Sequence, residues 1–186
     1  MVNYKMSTSK LALVGLAGAI TCILGPIAIT LPFSPVPISL GLLGIFLSTS
    51  LLGAHLSMLS CLIYLLVGLV GLPVFSGFIG GIGVVMGPTG GYLLGYLFIP
   101  LFAGLFTIHT PNARLRLMPG MLMGLFFCYI TGTLWLSYQL ELDFSSALLL
   151  GTLPYIPADL VKLGLAWFLG STIRKRLNKA GLYNIN

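Results

Sequence analysis

One acid and one amine, Asp159 and Lys162, lie three positions apart within a long apolar segment of the sequence. Residues at this spacing share one face of a helix, and each charge near the centre of a bilayer costs about 2.5–3.5 kcal/mol on insertion scales. We therefore expect both side chains to face the interior of a helix bundle and to pair. The pair could only fix packing, or it could bind a ligand through one acceptor and one donor. We favour the ligand site, because intramembrane ionisable pairs usually mark substrate pathways.

Two prolines, Pro154 and Pro157, lie just before this pair. A proline inside a helix removes a backbone hydrogen bond and clashes with the preceding turn, so the segment is either kinked here or starts a new helix at Pro157. In the second case Asp159 lies in a first helical turn, where a carboxylate is favoured. Both alternatives put irregular backbone beside the pair, which is tolerated at membrane depth only where it lines a cavity or is buried in protein.

The composition indicates that these residues belong to a membrane protein that crosses the bilayer several times. Of the 186 residues, 58% are hydrophobic and only 6% are charged, and the mean hydropathy is +1.07. A soluble domain has about 25% charged residues, and disordered chains combine low hydrophobicity with high charge. We predict one all-α domain over residues 1–186, a bundle of six transmembrane helices with an outward-side ligand pocket. The predicted spans are approximately 11–29, 38–54, 56–72, 85–108, 117–138 and 146–173.

The placement of the charges predicts the orientation of this bundle. The chain has 9 Lys and Arg against 3 Asp and Glu. With the N-terminus inside, every basic residue except Lys162 falls on the cytoplasmic side, as the positive-inside rule requires. Both termini are therefore predicted to be cytoplasmic. The basic residues occupy the two termini and one loop rather than one surface patch, so we expect no nucleic-acid partner.

Several kinds of chemistry have no support in the sequence. There is no nucleotide-binding G-x-x-x-x-G-K-[ST] loop, no H-E-x-x-H and no G-x-S-x-G motif. Asp159 is the only acid within a predicted span, which argues against a carboxylate-based intramembrane enzyme. The three cysteines, Cys22, Cys61 and Cys128, lack metal-binding spacing. We expect no catalytic residues, metal or cofactor.

Two predicted outer loops could contribute to a site. The glycine loop, residues 77–83 and 87–92, could fold inward and offer backbone N–H groups to an anionic or polar ligand, or could serve close helix packing. The proline segment, residues 32–37, could form a rigid cover over an outward-facing site, or a plain connector. Neither alternative is excluded by the sequence.

Small residues follow one face of the first predicted span, at Ala12, Gly15 and Ala19. Small residues at this spacing allow a partner helix to approach closely. The partner could be another helix of the same chain or another subunit.

Four strings of the sequence, residues 32–40, 71–77, 87–96 and 157–162, resemble the BioY family. This family comprises the biotin-binding S components of energy-coupling-factor (ECF) transporters. The resemblance implies a subunit in a prokaryotic cell membrane, surrounded by lipid, that captures biotin from outside and performs no covalent chemistry. It also implies a separate energising module, made of a transmembrane coupling protein and two cytoplasmic ATPases. The coupling protein would dock on the small residues of span one.

The resemblance also implies how biotin would be bound. Asp159 would accept a hydrogen bond from a ureido N–H, and Lys162 would donate to the ureido carbonyl. Aromatic walls for the apolar ring and tail are expected from Phe33, Tyr92, Tyr129 and Tyr155. Donors to the valerate carboxylate are expected from Gly81, Gly83 and Thr89.

The chain departs from the family pattern at three positions, one after the proline segment and two in the glycine loop. It has Gly41 where glutamine is common, and Phe78 and Ile79 where small or polar residues are usual.

Two alternatives to biotin capture stay open. One is a stand-alone secondary carrier that uses the pair as a proton or ion relay, and the other is an S component for a different vitamin such as thiamine.

Overall fold

Helices form most of the chain in the structure, a computed structural model that describes residues 8–107 and 113–179. The helices are Thr8–Leu24 (α1), Gly41–Leu52 (α2), Ala54–Leu69 (α3), Ile82–Val85 (α4), Gly90–Gly95 (α5), Phe98–Thr107 (α6), Ala113–Leu140 (α7), Phe144–Gly151 (α8) and Ile156–Lys179 (α9). A 3₁₀ turn, Leu153–Tyr155, connects α8 to α9. The all-helical prediction did not include a two-residue antiparallel ribbon, Ala28–Ile29 (β1) with Ile38–Ser39 (β2), which closes the base of the proline segment.

Among the residues that the structure describes, three stretches are long and apolar enough to cross a membrane: Gly90–Thr107, Arg116–Leu140 and Phe144–Arg176. Three shorter apolar helices, α1, α2 and α3, precede them. Each of the six predicted spans overlaps one of these stretches or helices, although the ends differ. The first helix ends at Leu24 instead of residue 29, because Gly25 and Pro26 follow and a proline disfavours helical geometry in the residue before it.

Prolines divide two of the predicted spans into separate helices. The span predicted at 85–108 contains α5 and α6, and Pro100 lies in the first turn of α6, where its missing N–H leaves no bond unmade. The span predicted at 146–173 contains α8, the 3₁₀ turn and α9. Pro157 lies in the first turn of α9, and so does Asp159. The new-helix alternative is therefore the one found.

The core of the bundle is built where α7 packs on α5 and α6, and α9 packs on α2. Two glycines of α7 allow this helix to lie close to α6. A Cβ on Gly120 would lie 2.7 Å from the Cα of Ala103, and one on Gly124 would lie 2.5 Å from the Cα of Ile99. Any larger residue at either position would force the two backbones apart.

The stripe of small residues on α1 faces away from the bundle. Ala12, Gly15 and Ala19 are exposed, and a Cβ on Gly15 would meet no atom within 4 Å. The opposite face of α1 packs against the bundle instead, with Gly18 in contact with Ile63 of α3. The described part of the chain therefore supplies no internal partner for the stripe.

Candidate ligand-binding site

Asp159 and Lys162 form a buried ion pair in the first turns of α9. The Lys162 Nζ lies 2.8 Å from the Asp159 Oδ1, and the residues are only 5% and 7% exposed. Neither charge therefore points to the outside of the bundle. Their spacing in the sequence and the cost of leaving a charge unpaired in an apolar interior account for this placement.

Each member of the pair has one further partner from a distant part of the chain. The Tyr129 hydroxyl, on α7, donates to the Asp159 Oδ2 at 2.8 Å. The Lys162 Nζ donates to the backbone carbonyl of Ser39 at 2.7 Å. An ammonium group has three donors and a carboxylate accepts about four hydrogen bonds. Among the described residues, two acceptors engage Lys162 and two donors engage Asp159, so both groups keep capacity for a ligand.

The Ser39 carbonyl is held by the β-ribbon and by the side chain of Ser39 itself. Its hydroxyl donates to the Gly25 carbonyl at 2.8 Å and accepts from the Gly41 N–H at 2.9 Å. A Cβ on Gly41 would lie 3.2 Å from the Gly25 Cα. This close packing favours glycine at position 41, where glutamine is common in the family. Ser39 could not be predicted as a site residue from the sequence, because a backbone carbonyl contributes no side-chain signal.

The pair opens onto a small cavity, here called the pair cavity, with a volume of about 40 Å³. Its walls come from the proline segment, β2, α2, α5, α7 and the α8–α9 connection. Besides the pair it is lined by Val36, Pro37, Ile38, Ser39, Leu42, Tyr92, Tyr96, Leu125, Cys128, Tyr129, Gly151 and Tyr155. Polar groups gather at the pair and apolar or aromatic groups form the remainder, as in a typical small-molecule site.

A larger cavity of about 240 Å³ adjoins it and is here called the loop cavity. The two cavities share four lining residues, Val36, Pro37, Tyr92 and Tyr96. Thr89 lines the loop cavity only. A ligand held at the pair could therefore extend past the shared residues towards Thr89.

Hydroxyl contacts hold two of the predicted aromatic walls. The Tyr92 hydroxyl lies 3.3 Å from the Thr152 Oγ1, which in turn lies 2.7 Å from the Thr133 Oγ1. The Tyr155 hydroxyl lies 2.7 Å from the Ser34 Oγ and also contacts the Val36 carbonyl. Tyr155 thereby ties the proline segment to the α8–α9 connection, over the pair cavity.

The structure does not bring three of the predicted contact residues to either cavity. Phe33 is 58% exposed and lies outside both linings. Gly81 and Gly83 also lie outside them, and the Gly81 N–H donates to the Gly68 carbonyl at 2.7 Å instead of facing a ligand. The glycine loop uses its backbone to fold onto the end of α3, which a count of glycines could not distinguish from a ligand-binding loop.

Asp159, Lys162, Tyr92, Tyr129 and Tyr155 do meet around the pair cavity. Tyr96 joins them and was not singled out from the sequence. Its spacing of four from Tyr92 on a helix was the available signal, since such residues share a face. No group of three potential His, Cys, Asp or Glu ligands for a metal occurs within residues 8–107 and 113–179.

The fold and the site together define a helical membrane protein with two adjoining cavities beside a buried ion pair. The fold matches a solved structure described as the S-component for biotin from an ECF-type ABC transporter. The TM-score is 0.82 and the sequence identity is 31%, over 91% of this chain and 95% of that one.

The sequence comparisons agree with the structural match. The BioY family model matches residues 1–179. The Biotin transporter BioY2 of Lactococcus lactis subsp. cremoris is 33% identical over the full length of both chains. The Biotin transporter BioY of Rhizobium etli is 33% identical over 90% of this chain and 94% of its own. The chain belongs to the BioY family, and the resemblance of its motifs to that family is confirmed.

Proposed function

We propose that the protein is a membrane-embedded biotin-binding subunit that mediates uptake of the vitamin. One observation carries this proposal: a buried acid–amine pair keeps free hydrogen-bonding capacity and lines a cavity. A pair that served packing alone would have no need of a hollow beside it. The similarity to biotin transporters and to a biotin S-component supports the choice of ligand.

The chemistry of the ureido ring of biotin complements the pair. Its carbonyl oxygen is an acceptor for the remaining Lys162 N–H, and a ring N–H is a donor to Asp159. Tyr129 holds the carboxylate in place for this contact. Charge-assisted hydrogen bonds are strong, and a buried group left without its partner is costly. The site should therefore reject ligands that lack this pattern.

The rest of the biotin molecule would extend from the pair cavity into the loop cavity. The thiophane ring would lie against apolar and aromatic walls such as Leu42, Leu125 and Tyr92. The valerate tail would extend into the loop cavity, where Thr89 offers a hydroxyl. The pair cavity, at about 40 Å³, holds only a few water molecules, so ring entry requires its wall to move. We propose that the residues of the proline segment, Val36 and Pro37, are the ones displaced.

The orientation in the membrane forms part of the proposal. We propose six spans, both termini in the cytoplasm and a ligand pocket on the outer side. Asp159 precedes Arg174 by 15 residues of one helix, or about 22 Å along its axis, which separates the site from the basic end of the chain. Lys5 contributes to the charge argument and lies outside the described residues.

We further propose an energising partner, a transmembrane coupling protein with two cytoplasmic ATPases. The exposed stripe of Ala12, Gly15 and Ala19 would be its docking surface. The remaining exposed apolar side chains of the bundle suit contact with lipid. The subunit would bind and release biotin without any covalent step.

Calorimetry on the detergent-solubilised protein tests the function. Biotin should bind, and desthiobiotin, which keeps the ureido group, should also bind, whereas thiamine should not. Asp159→Asn or Lys162→Met should lower the biotin affinity tenfold or more. Asp143→Asn, which changes an acid outside the cavity linings, is the matched control and should bind like the wild type. Unchanged biotin affinity in both pair variants would show that the pair is not the binding site. Tight thiamine binding would show that thiamine, and not biotin, is the ligand.

A liposome experiment distinguishes a subunit from a stand-alone carrier. Protein reconstituted without ATPases should bind biotin but should not concentrate it when a proton gradient is imposed. Accumulation driven by the gradient alone would instead show that the pair acts as a relay in a secondary carrier.

A further inference from the structure

Four tyrosines line the pair cavity, and three of their hydroxyls are already engaged within the protein. Tyr129 donates to Asp159, Tyr155 contacts the proline segment, and Tyr92 contacts Thr152. The fourth hydroxyl, that of Tyr96, has no hydrogen-bond partner in the described part of the chain, although the backbone of Tyr96 is hydrogen-bonded. This residue lines the same cavity as the ion pair, and a phenol hydroxyl beside a polar site that has no protein partner can donate to a ligand.

Tyr92 and Tyr96 are otherwise closely comparable. They lie four residues apart at α5 and its C-terminal end, and both line both cavities. Tyr92 is clamped by glycines, since a Cβ on Gly132 would lie 2.2 Å from its ring and one on Gly151 would lie 2.4 Å from its hydroxyl. Tyr92 is therefore a fixed wall, whereas Tyr96 is half-buried and its hydroxyl has no partner within residues 8–107 and 113–179.

A count of donors shows what the Tyr96 hydroxyl could do. Two of the three N–H donors of Lys162 are used by Asp159 and Ser39, which leaves one for the ligand. A ureido oxygen has two lone pairs, so Lys162 alone would satisfy only half of its capacity. An acceptor that is buried with a lone pair unmet loses part of the hydrogen bonding it had in water.

We propose that Tyr96 is a specificity-determining residue that donates a hydrogen bond to the second lone pair of the ligand's ureido oxygen. This inference rests on the proposed function and deepens it. The site then recognises a strong carbonyl-type acceptor with two donors, Lys162 and Tyr96, while Asp159 recognises the adjacent N–H. A ligand whose ring carries a weaker acceptor at that position loses both contacts.

The test combines two matched variants with two ligands in calorimetry. Tyr96→Phe should weaken biotin binding by about threefold to tenfold, the effect of losing one hydrogen bond. Tyr92→Phe removes a hydroxyl from the same helix face and should change the affinity by less. The second ligand is 2-thiobiotin, whose ureido oxygen is replaced by sulfur, a weak acceptor. Tyr96→Phe and the wild type should bind 2-thiobiotin with nearly equal affinity.

Each other outcome overturns the inference. An unchanged biotin affinity in Tyr96→Phe means that the hydroxyl does not touch the ligand. An equal loss for biotin and 2-thiobiotin means that it does not act through the oxygen, and an equal loss in Tyr92→Phe means that any wall hydroxyl has the same effect. If Tyr96→Phe does not fold, judged by its elution and thermal unfolding in detergent, Tyr96→Leu takes its place. Because this change also removes the ring, the ratio of the biotin affinity to the 2-thiobiotin affinity is then compared with that of the wild type, and an unchanged ratio overturns the inference.

The result is separable from the proposed function. If Asp159→Asn abolishes biotin binding while Tyr96→Phe leaves it intact, the function stands and the role of Tyr96 is wrong. If the wild type itself does not bind biotin, the proposed function fails.

Discussion

The hydroxyl of Tyr129, on α7, donates a 2.8 Å hydrogen bond to the carboxylate of Asp159, on α9. This contact joins two helices across the pair cavity and occupies one oxygen of the carboxylate. The other oxygen faces Lys162. The acid is thus held from both sides before any ligand arrives, which lowers the entropic cost of binding.

Loss of the Tyr129 hydroxyl should therefore weaken binding without removing the site. We expect Tyr129→Phe to lower the biotin affinity by about threefold to tenfold, because the carboxylate loses one charge-assisted donor. Calorimetry measures the change. Tyr138→Phe is the control, since Tyr138 lies on the same helix and is 80% exposed. Equal affinities for Tyr129→Phe and the wild type would show that the pair needs no support from α7.

The ion pair should affect stability and binding differently. Removing one partner of a buried pair leaves an uncompensated charge and costs about 3–5 kcal/mol, whereas replacing both can be neutral. We expect Lys162→Met to lower the thermal unfolding temperature in detergent, and the double variant Asp159→Asn/Lys162→Met to recover much of the loss. Biotin binding should stay impaired in both. A double variant less stable than Lys162→Met would contradict the burial seen here.

The stripe on α1 should matter for assembly and not for ligand binding. Gly15→Leu adds a side chain where no atom lies within 4 Å, so the protein should fold and bind biotin normally. Co-purification with the coupling protein and ATPases should be reduced, because a large side chain prevents close helix approach. Gly18→Leu is the contrasting variant, since Gly18 packs on Ile63 and its replacement should destabilise the chain itself. Loss of biotin binding in Gly15→Leu would show that the stripe serves the bundle.

The start of α8 should confer an acid-dependent stability. Hydrogen bonds from Ser145 and Ser146 lower the pKa of the capping residue Asp143 to about 2, from about 3.9 in an unfolded chain. A depressed folded pKa contributes stability above the unfolded pKa, and this stability is lost as the pH falls from about 4 to 2. As the pH falls through this window, the thermal unfolding temperature of the wild type should decrease more than that of Asp143→Ala. Parallel profiles for the two proteins would rule out the contribution.

Local sequence was enough to predict the pair and its surroundings on α9. The spacing of Asp159 and Lys162, the desolvation cost of each charge and the proline at position 157 all act within two helical turns. The helical character of the chain and its BioY membership were likewise predictable, because apolar composition and short motifs do not depend on knowing the fold.

The rest of the site depended on contacts between distant segments. Ser39 lies 123 positions from Lys162, and nothing in the types of the intervening residues specifies that its carbonyl will meet the ammonium group. Phe33, Gly81 and Gly83 had suitable chemistry, but the folded loops place them outside both cavities. Residue type and spacing decide which groups cannot face lipid and must find partners inside the bundle, since the desolvation cost of a charge depends on that residue and its near neighbours in the sequence. Only the packing of the helices decides which partners lie within hydrogen-bond reach. It also decides which hydroxyl of the pair cavity, here that of Tyr96, has no partner among the described residues.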